Sequence, residues 1–159
     1  MWLVIFQQNT ADSRSPCRYW RTCCVVMLGH IAPSTKSNPN AVWDAIRDIG
    51  ALHTRLVPGF VTATELIPGG RRVTFGNGLV VNEPIIDSDD ERRRLAWTAT
   101  GEGLALQHYN ASVQVFPHEH GSRVVWTADL LPHEAAPTVG SMMDQGMAVM
   151  ARTLDGLAE

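Results

Sequence analysis

Three side chains in this chain have the chemistry to act on a small molecule: Glu83, Tyr109 and His53. A carboxylate drawn out of water favours its protonated form, which suits acid–base work or the orientation of a ligand. Glu83 lies in the stretch Leu79–Ile86, where the alternating sets Val81, Glu83, Ile85 and Val80, Asn82, Ile86 are both mixed. Parity alone therefore leaves its face open. Tyr109 falls in one alternating set with Ala111, Val113 and Val115. Its hydroxyl could donate to a ligand carbonyl, or bond a backbone carbonyl as a structural tyrosine. Other clusters weigh less. His118-Glu119-His120 has metal-binding residue types but sits in a turn with no fixed third ligand. Arg92-Arg93-Arg94 follows Asp87–Glu91 across a turn and reads as charge balance on a solvated edge. His108 belongs to the set opposite Tyr109, and the glycosylation triplet Asn110-Ala111-Ser112 falls inside a strand. There is no G-x-S-x-G, phosphate loop or dinucleotide glycine pattern, so neither a metal nor a bound cofactor is expected.

The elements that must position these residues follow from periodicity. Val139, Met142, Met143, Met147, Met150, Leu154 and Leu157 recur at helical spacing, which predicts one long helix over Thr138–Leu157 with a methionine-rich stripe. Gly146 interrupts it at a cost of about 1 kcal/mol against alanine; close approach to the sheet, or a bend over it, could offset that. Ahead lie strands at Phe60–Ile67, Arg72–Phe75, Leu79–Ile86, Arg93–Thr100, Leu106–Phe116 and Arg123–Leu131, punctuated by Gly, Pro, Asn and Asp turns. A first strand lies within Val25–Lys36. After it, Asn38 caps and Pro39 opens a short helix that stops at Gly50, and a second runs Ala51–Leu56. Short connections make the sheet antiparallel. Alternation turns Leu95, Trp97 and Ala99, then Val124, Trp126, Ala128 and Leu130, to the same face as Tyr109. The long helix must lay its stripe on that face.

Composition bounds the class. The chain has 159 residues, enough for one domain with a substantial core. A net charge of −3 gives no footprint for nucleic acid, and no apolar run is long enough for membrane insertion. Cys17, Cys23 and Cys24 form no convincing disulfide pattern, which fits a reduced, cytoplasmic setting. Residues 1–26 differ in character from the rest of the chain and lack the features of a secretory signal. They are expected to form a peripheral or poorly ordered extension to a domain at 27–159.

The order of strand, two short helices, six strands and long helix resembles the START-like, or SRPBCC, helix-grip superfamily, in its polyketide cyclase/dehydrase-like branch. Pro39-Asn40-Ala41-Val42-Trp43-Asp44-Ala45-Ile46 with Ile49-Gly50-Ala51-Leu52-His53 look like the family's paired helix motifs. Asn82-Glu83 leading to Asp89-Asp90, then Arg94-Leu95-Ala96-Trp97 and Gly121-Ser122-Arg123-Val124-Val125-Trp126-Thr127-Ala128, extend the likeness over about residues 27–158. The resemblance implies an α+β fold in which a seven-stranded curved antiparallel sheet wraps the terminal helix. It also implies a cavity for an apolar or aromatic small molecule between them. It turns Glu83 inward and puts His53 at the cavity mouth. The expected lining is Phe75, Val81, Glu83, Trp97, Tyr109, Trp126, Met143, Met147 and His53, with small Ala99, Ala111 and Ala128 leaving room. The expected function is binding of that molecule by a monomer or homodimer. The alternative is a cyclase or dehydratase using Glu83 and Tyr109 as acid and base.

Overall fold

The computed structural model describes residues 26–31, 35–101 and 103–158. The residues before Val26, where the peripheral extension was expected, lie outside them. Among the described residues seven strands form one antiparallel sheet: β1 (Val26–Ile31), β2 (Val61–Ile67), β3 (Gly70–Phe75), β4 (Val80–Asp89), β5 (Arg94–Thr98), β6 (His108–His118) and β7 (Gly121–Leu131). Their order across the sheet is β1-β7-β6-β5-β4-β3-β2, so strands consecutive in sequence from β2 to β7 are neighbours and β1 closes the far edge.

Helix α1 (Pro39–Arg47) starts as its sequence directs, with the Asn38 side chain accepting from the Asn40 N–H at 2.8 Å. The second helix differs from the regular one expected. A 3-10 turn, Ile49–Ala51, leads into a single π-helical turn, Leu52–Leu56, whose wider loop is closed by the Val57 N–H on the Leu52 carbonyl at 2.9 Å. Arg55 ties this turn to α1 through Asp44 (2.8 Å) and Asp48 (2.9 Å). The long helix α2 (Ala136–Asp155) begins two residues before the expected start, because Pro137 sits where a helix needs no N–H.

Two corrections concern the strands. β4 does not end at Ile86 but runs through Pro84 to Asp89. It pairs with β3 up to Pro84 and with β5 from Ile85, shifting register between Ile85 and Asp87. Pro84 lies inside this ladder: beside it Asn82 exchanges backbone hydrogen bonds with Thr100 on one side, and the Ile85 N–H reaches the Gly69 carbonyl at 2.9 Å on the other. Bends of this kind turn a flat sheet into a concave one. The connection between β5 and β6 is wider than a tight Gly101–Gly103 turn: β5 stops at Thr98 and β6 starts at His108, leaving Leu104 and Leu106 in a loop.

The concave face carries the core. Val73, Leu95, Val113, Val115, Val124, Ala128 and Leu130 are buried there against Val42, Ile46, Leu52 and Leu56 of the short helices and Met143, Met147, Met150 and Leu154 of α2. A polar tie holds the end of α2 to the sheet. Ser122 Oγ donates to the Ser37 carbonyl at 2.7 Å, and Ser37 Oγ donates to the Leu154 carbonyl. Gly121 is needed beside it, since a Cβ there would fall 2.0 Å from the Thr35 carbonyl oxygen.

Candidate ligand-binding cavity

The helix does not fill the concavity. Between α2 and the sheet lies a cavity with about 120 Å³ open to the centre of a water molecule, many times the roughly 10–15 Å³ that one water requires. Its wall is drawn from every layer: Leu52, Leu56 and Val57 at the π-turn, Phe60, Phe75 and Leu79 on neighbouring loops and strands, and Leu104 and Leu106 from the β5–β6 loop. Val139, Met142, Met143 and Met150 cover it from the helix. Methionine and aromatic surfaces give such a wall both area and adaptability.

Gly146 explains how the helix comes so close. A Cβ at this position would lie 3.0 Å from Phe60 Cε1 and 3.0 Å from Trp126 Cζ3. Close approach therefore offsets the weak helix preference of glycine. The two rings belong to a larger aromatic wall. Phe60 meets Phe75 edge-on at 5.4 Å between centroids, and Trp126 tilts against Trp97 at 6.1 Å.

The polar centre of the wall is a buried ion pair. Arg71 on β3 and Glu83 on β4 stand directly opposite in register. Arg71 Nε donates to Glu83 Oε2 at 2.7 Å, with both side chains nearly free of solvent. The Arg71 guanidinium also lies over the Trp97 ring, 5.6 Å from its centroid. Gly70 permits this register, because any Cβ there would come within 2.3 Å of the Glu83 carbonyl oxygen. A carboxylate held this way is suited to hold and orient. The lone desolvated carboxylate expected from sequence is corrected to a paired one.

Tyr109 borders the same cavity. Its backbone carbonyl accepts from Thr98 Oγ1 at 2.6 Å, while its hydroxyl makes no hydrogen bond among the described residues. Burial, then the charges of Glu83 and Asp129, push the phenol well above its ordinary pKa. Its hydroxyl stays protonated, a donor and not a base.

Of the residues expected to line a pocket, Phe75, Val81, Glu83, Trp97, Tyr109, Trp126 and Met143 do so. Met147 does not: it is buried in the core, one residue after Gly146 and three before Met150. His53 does not either. In the π-turn its neighbours Leu52 and Leu56 face the cavity, and His53 points elsewhere with a buried Nδ1 that has no partner among the described residues. Ala99 lines the space, whereas Ala111 and Ala128 are packed shut. Arg71 was missed, together with Phe60 and the loop leucines. On the outer face His108 pairs with Asp129 at 2.5 Å. No group of three or more metal-ligating side chains occurs among the described residues.

A curved antiparallel sheet gripping a terminal helix around an apolar cavity defines the helix-grip class. Residues 35–159 match the family model described as polyketide cyclase/dehydrase and lipid transport, and the chain belongs to that family. Solved structures agree on the fold. A protein of Thermobifida fusca is 26% identical with a TM-score of 0.67, over 84% of this chain and 95% of that one. The Zhui aromatase/cyclase of Streptomyces sp. R1128 gives 0.68 at 15% identity, over 83% and 92%. A START superfamily protein of Mycobacterium smegmatis gives 0.63 at 12%, over 82% and 94%. Comparison with curated protein sequences finds no match.

Proposed function

We propose that this protein binds a hydrophobic or aromatic small molecule in the cavity between the sheet and α2. The observation that carries the reading is the cavity itself, enclosed by aromatic and methionine side chains with a single buried ion pair in its wall. Family membership supports it. The domain begins near β1, and the binding unit is a monomer or homodimer. Partners other than the small molecule are not expected: the net charge of −3 offers nothing to nucleic acid. No helix of the described residues is long and apolar enough to cross a membrane, and the three thiols fit a cytoplasmic location. Native mass spectrometry of the purified protein tests the binding reading. A co-purifying apolar molecule, or saturable uptake of an apolar dye, is expected; absence of both would end it.

A second reading is an enzyme of the cyclase or dehydratase kind using Glu83 and Tyr109. It is favoured by their shared place on one cavity wall and by the likeness to an aromatase/cyclase. The two readings separate cleanly. In a binder, Glu83→Gln with Tyr109→Phe lowers affinity modestly. In an enzyme, turnover falls by orders of magnitude while ligand still binds.

A further inference from the structure

The cavity opens at one end of the molecule. Of the side chains that line it, Ile46, Leu95 and Met150 are buried, whereas Leu79, Leu104, Val139 and Met142 keep part of their surface in solvent. These four belong to the β3–β4 turn, the β5–β6 loop and the first turns of α2, which together form an apolar rim. The chain reaches β1 at this same end. Val26 opens β1 opposite Leu130 of β7, and the Leu131 carbonyl beside it accepts from the Gln107 N–H of the β5–β6 loop at 2.7 Å. Two strand spacings, about 10 Å, therefore separate the start of β1 from the start of β6 and the loop that carries Leu104.

Residues 1–25, outside the described residues, supply an occupant for that rim. Trp2-Leu3-Val4-Ile5-Phe6 is an unbroken apolar run, and residues 7–25 tether it to β1. A flexible tether of that length spans about 25 Å on average, enough to bring the run back over the mouth. Charge agrees with this placement. The tether carries Arg14, Arg18 and Arg21 against Asp12, while the rim segments 76–80, 99–107 and 132–142 contain Glu102 and Glu134 and no lysine or arginine. We propose that Trp2–Phe6 is a built-in cover, which lies across the cavity mouth and competes with molecules that enter. The competition rests on the small-molecule reading above; the docking of the segment does not. Tethering sets the size of the effect. At an effective concentration of about 1 mM, a segment that alone binds with a Kd of about 0.2 mM occupies the mouth in roughly five of six molecules, so its loss tightens ligand binding about sixfold.

Two measurements on the full chain test it. In the first, Nile red is titrated into the parent protein and into the double variant Leu3→Ser with Ile5→Ser. The variant is expected to bind the dye about sixfold tighter. Equal affinities overturn the cover and leave the binding reading intact, whereas uptake by neither protein overturns the binding reading. The second measurement locates the segment without any ligand. Phe6→p-benzoylphenylalanine is photo-cross-linked and the products are mapped by mass spectrometry. Cross-links are expected within one chain, on residues 99–107 and 132–142. Cross-links elsewhere in the chain, cross-links to a second copy, or none at all overturn the cover whatever the dye does.

Discussion

Removing one member of the Arg71–Glu83 pair should be far more damaging than removing both. The geometry sets the size of the effect. The contact is single, Nε to Oε2 at 2.7 Å, and the side chains are 4% and 9% exposed. Arg71→Met leaves Glu83 charged in an apolar wall, and Glu83→Leu leaves the guanidinium with only the Trp97 face at 5.6 Å. Stranding a buried charge costs about 3–5 kcal/mol, whereas replacing both members by apolar groups of similar volume is often neutral. Each single variant should therefore lose about 3 kcal/mol or more, and the double variant about 1 kcal/mol or less. Urea denaturation reads this directly. With a slope of about 1–3 kcal/mol per molar, each single variant moves the midpoint by about 1 M or more at unchanged slope. Additivity of the singles within about 0.5 kcal/mol would refute the reasoning. So would single losses below about 1 kcal/mol, which would mean that the pair is hydrated through the cavity and behaves as a surface contact.

Three further outcomes follow from the same geometry. Gly146→Ala gains about 1 kcal/mol of helix preference but puts a methyl 3.0 Å from Phe60 and Trp126. Phe60 borders the cavity and can yield into it, so melting should shift little while apolar dye affinity falls several-fold. Gly121→Ala has no such outlet, because its Cβ meets backbone at 2.0 Å; denaturation should show a loss of at least about 2 kcal/mol. For acid stability the sign follows from two depressed carboxyl groups. Hydrogen bonds from Arg55 and then Arg47 lower the pKa of Asp44, and the Arg92 backbone N–H lowers that of Asp89. Their stabilising effect is present above the ordinary carboxylate value and is lost as pH falls through the lowered folded value. Urea midpoints measured from about pH 5 to about pH 2 should therefore decline less steeply with acid in Asp44→Asn and Asp89→Asn than in the parent chain.

The fold was legible wherever a periodic pattern met a turn residue that means one thing. Asn38-Pro39 marks a helix start by chemistry that works locally, and the structure has it there. The alternation in β6 and β7 survives because long neighbouring strands pair without interruption from His108 to Leu131. Legibility failed where tertiary partners decide. Pro84 warns of a strand end in any single-strand reading; the strand continues because neighbours on both sides bond the residues around it, Thr100 at Asn82 and Gly69 at Ile85. The π-turn is equally invisible, since Leu52–Leu56 carries no residue that distinguishes a wider turn from an ordinary one.

The cavity's apolar wall was largely readable and its polar centre only half so, for one reason. Whether a side chain faces inward depends on where its strand begins. Starting β3 at Arg72 leaves Arg71 in the turn, whereas the strand begins at Gly70, and Arg71 then shares parity with Val73 and Phe75. That one residue changes the chemistry assigned to Glu83, from a desolvated acid to half of an ion pair. The signal was present in principle: Gly69-Gly70 leaves a choice of turn, and only one choice sets an arginine opposite the glutamate. On α2 the same sensitivity appears as an angle. Met143 and Met150 face the hollow while Met147 packs beside it, because Gly146 takes the position closest to the sheet. A stripe read from sequence spans about 100° of the helix, which is wide enough to name the methionines that cover a cavity and too wide to say which of them touch its contents.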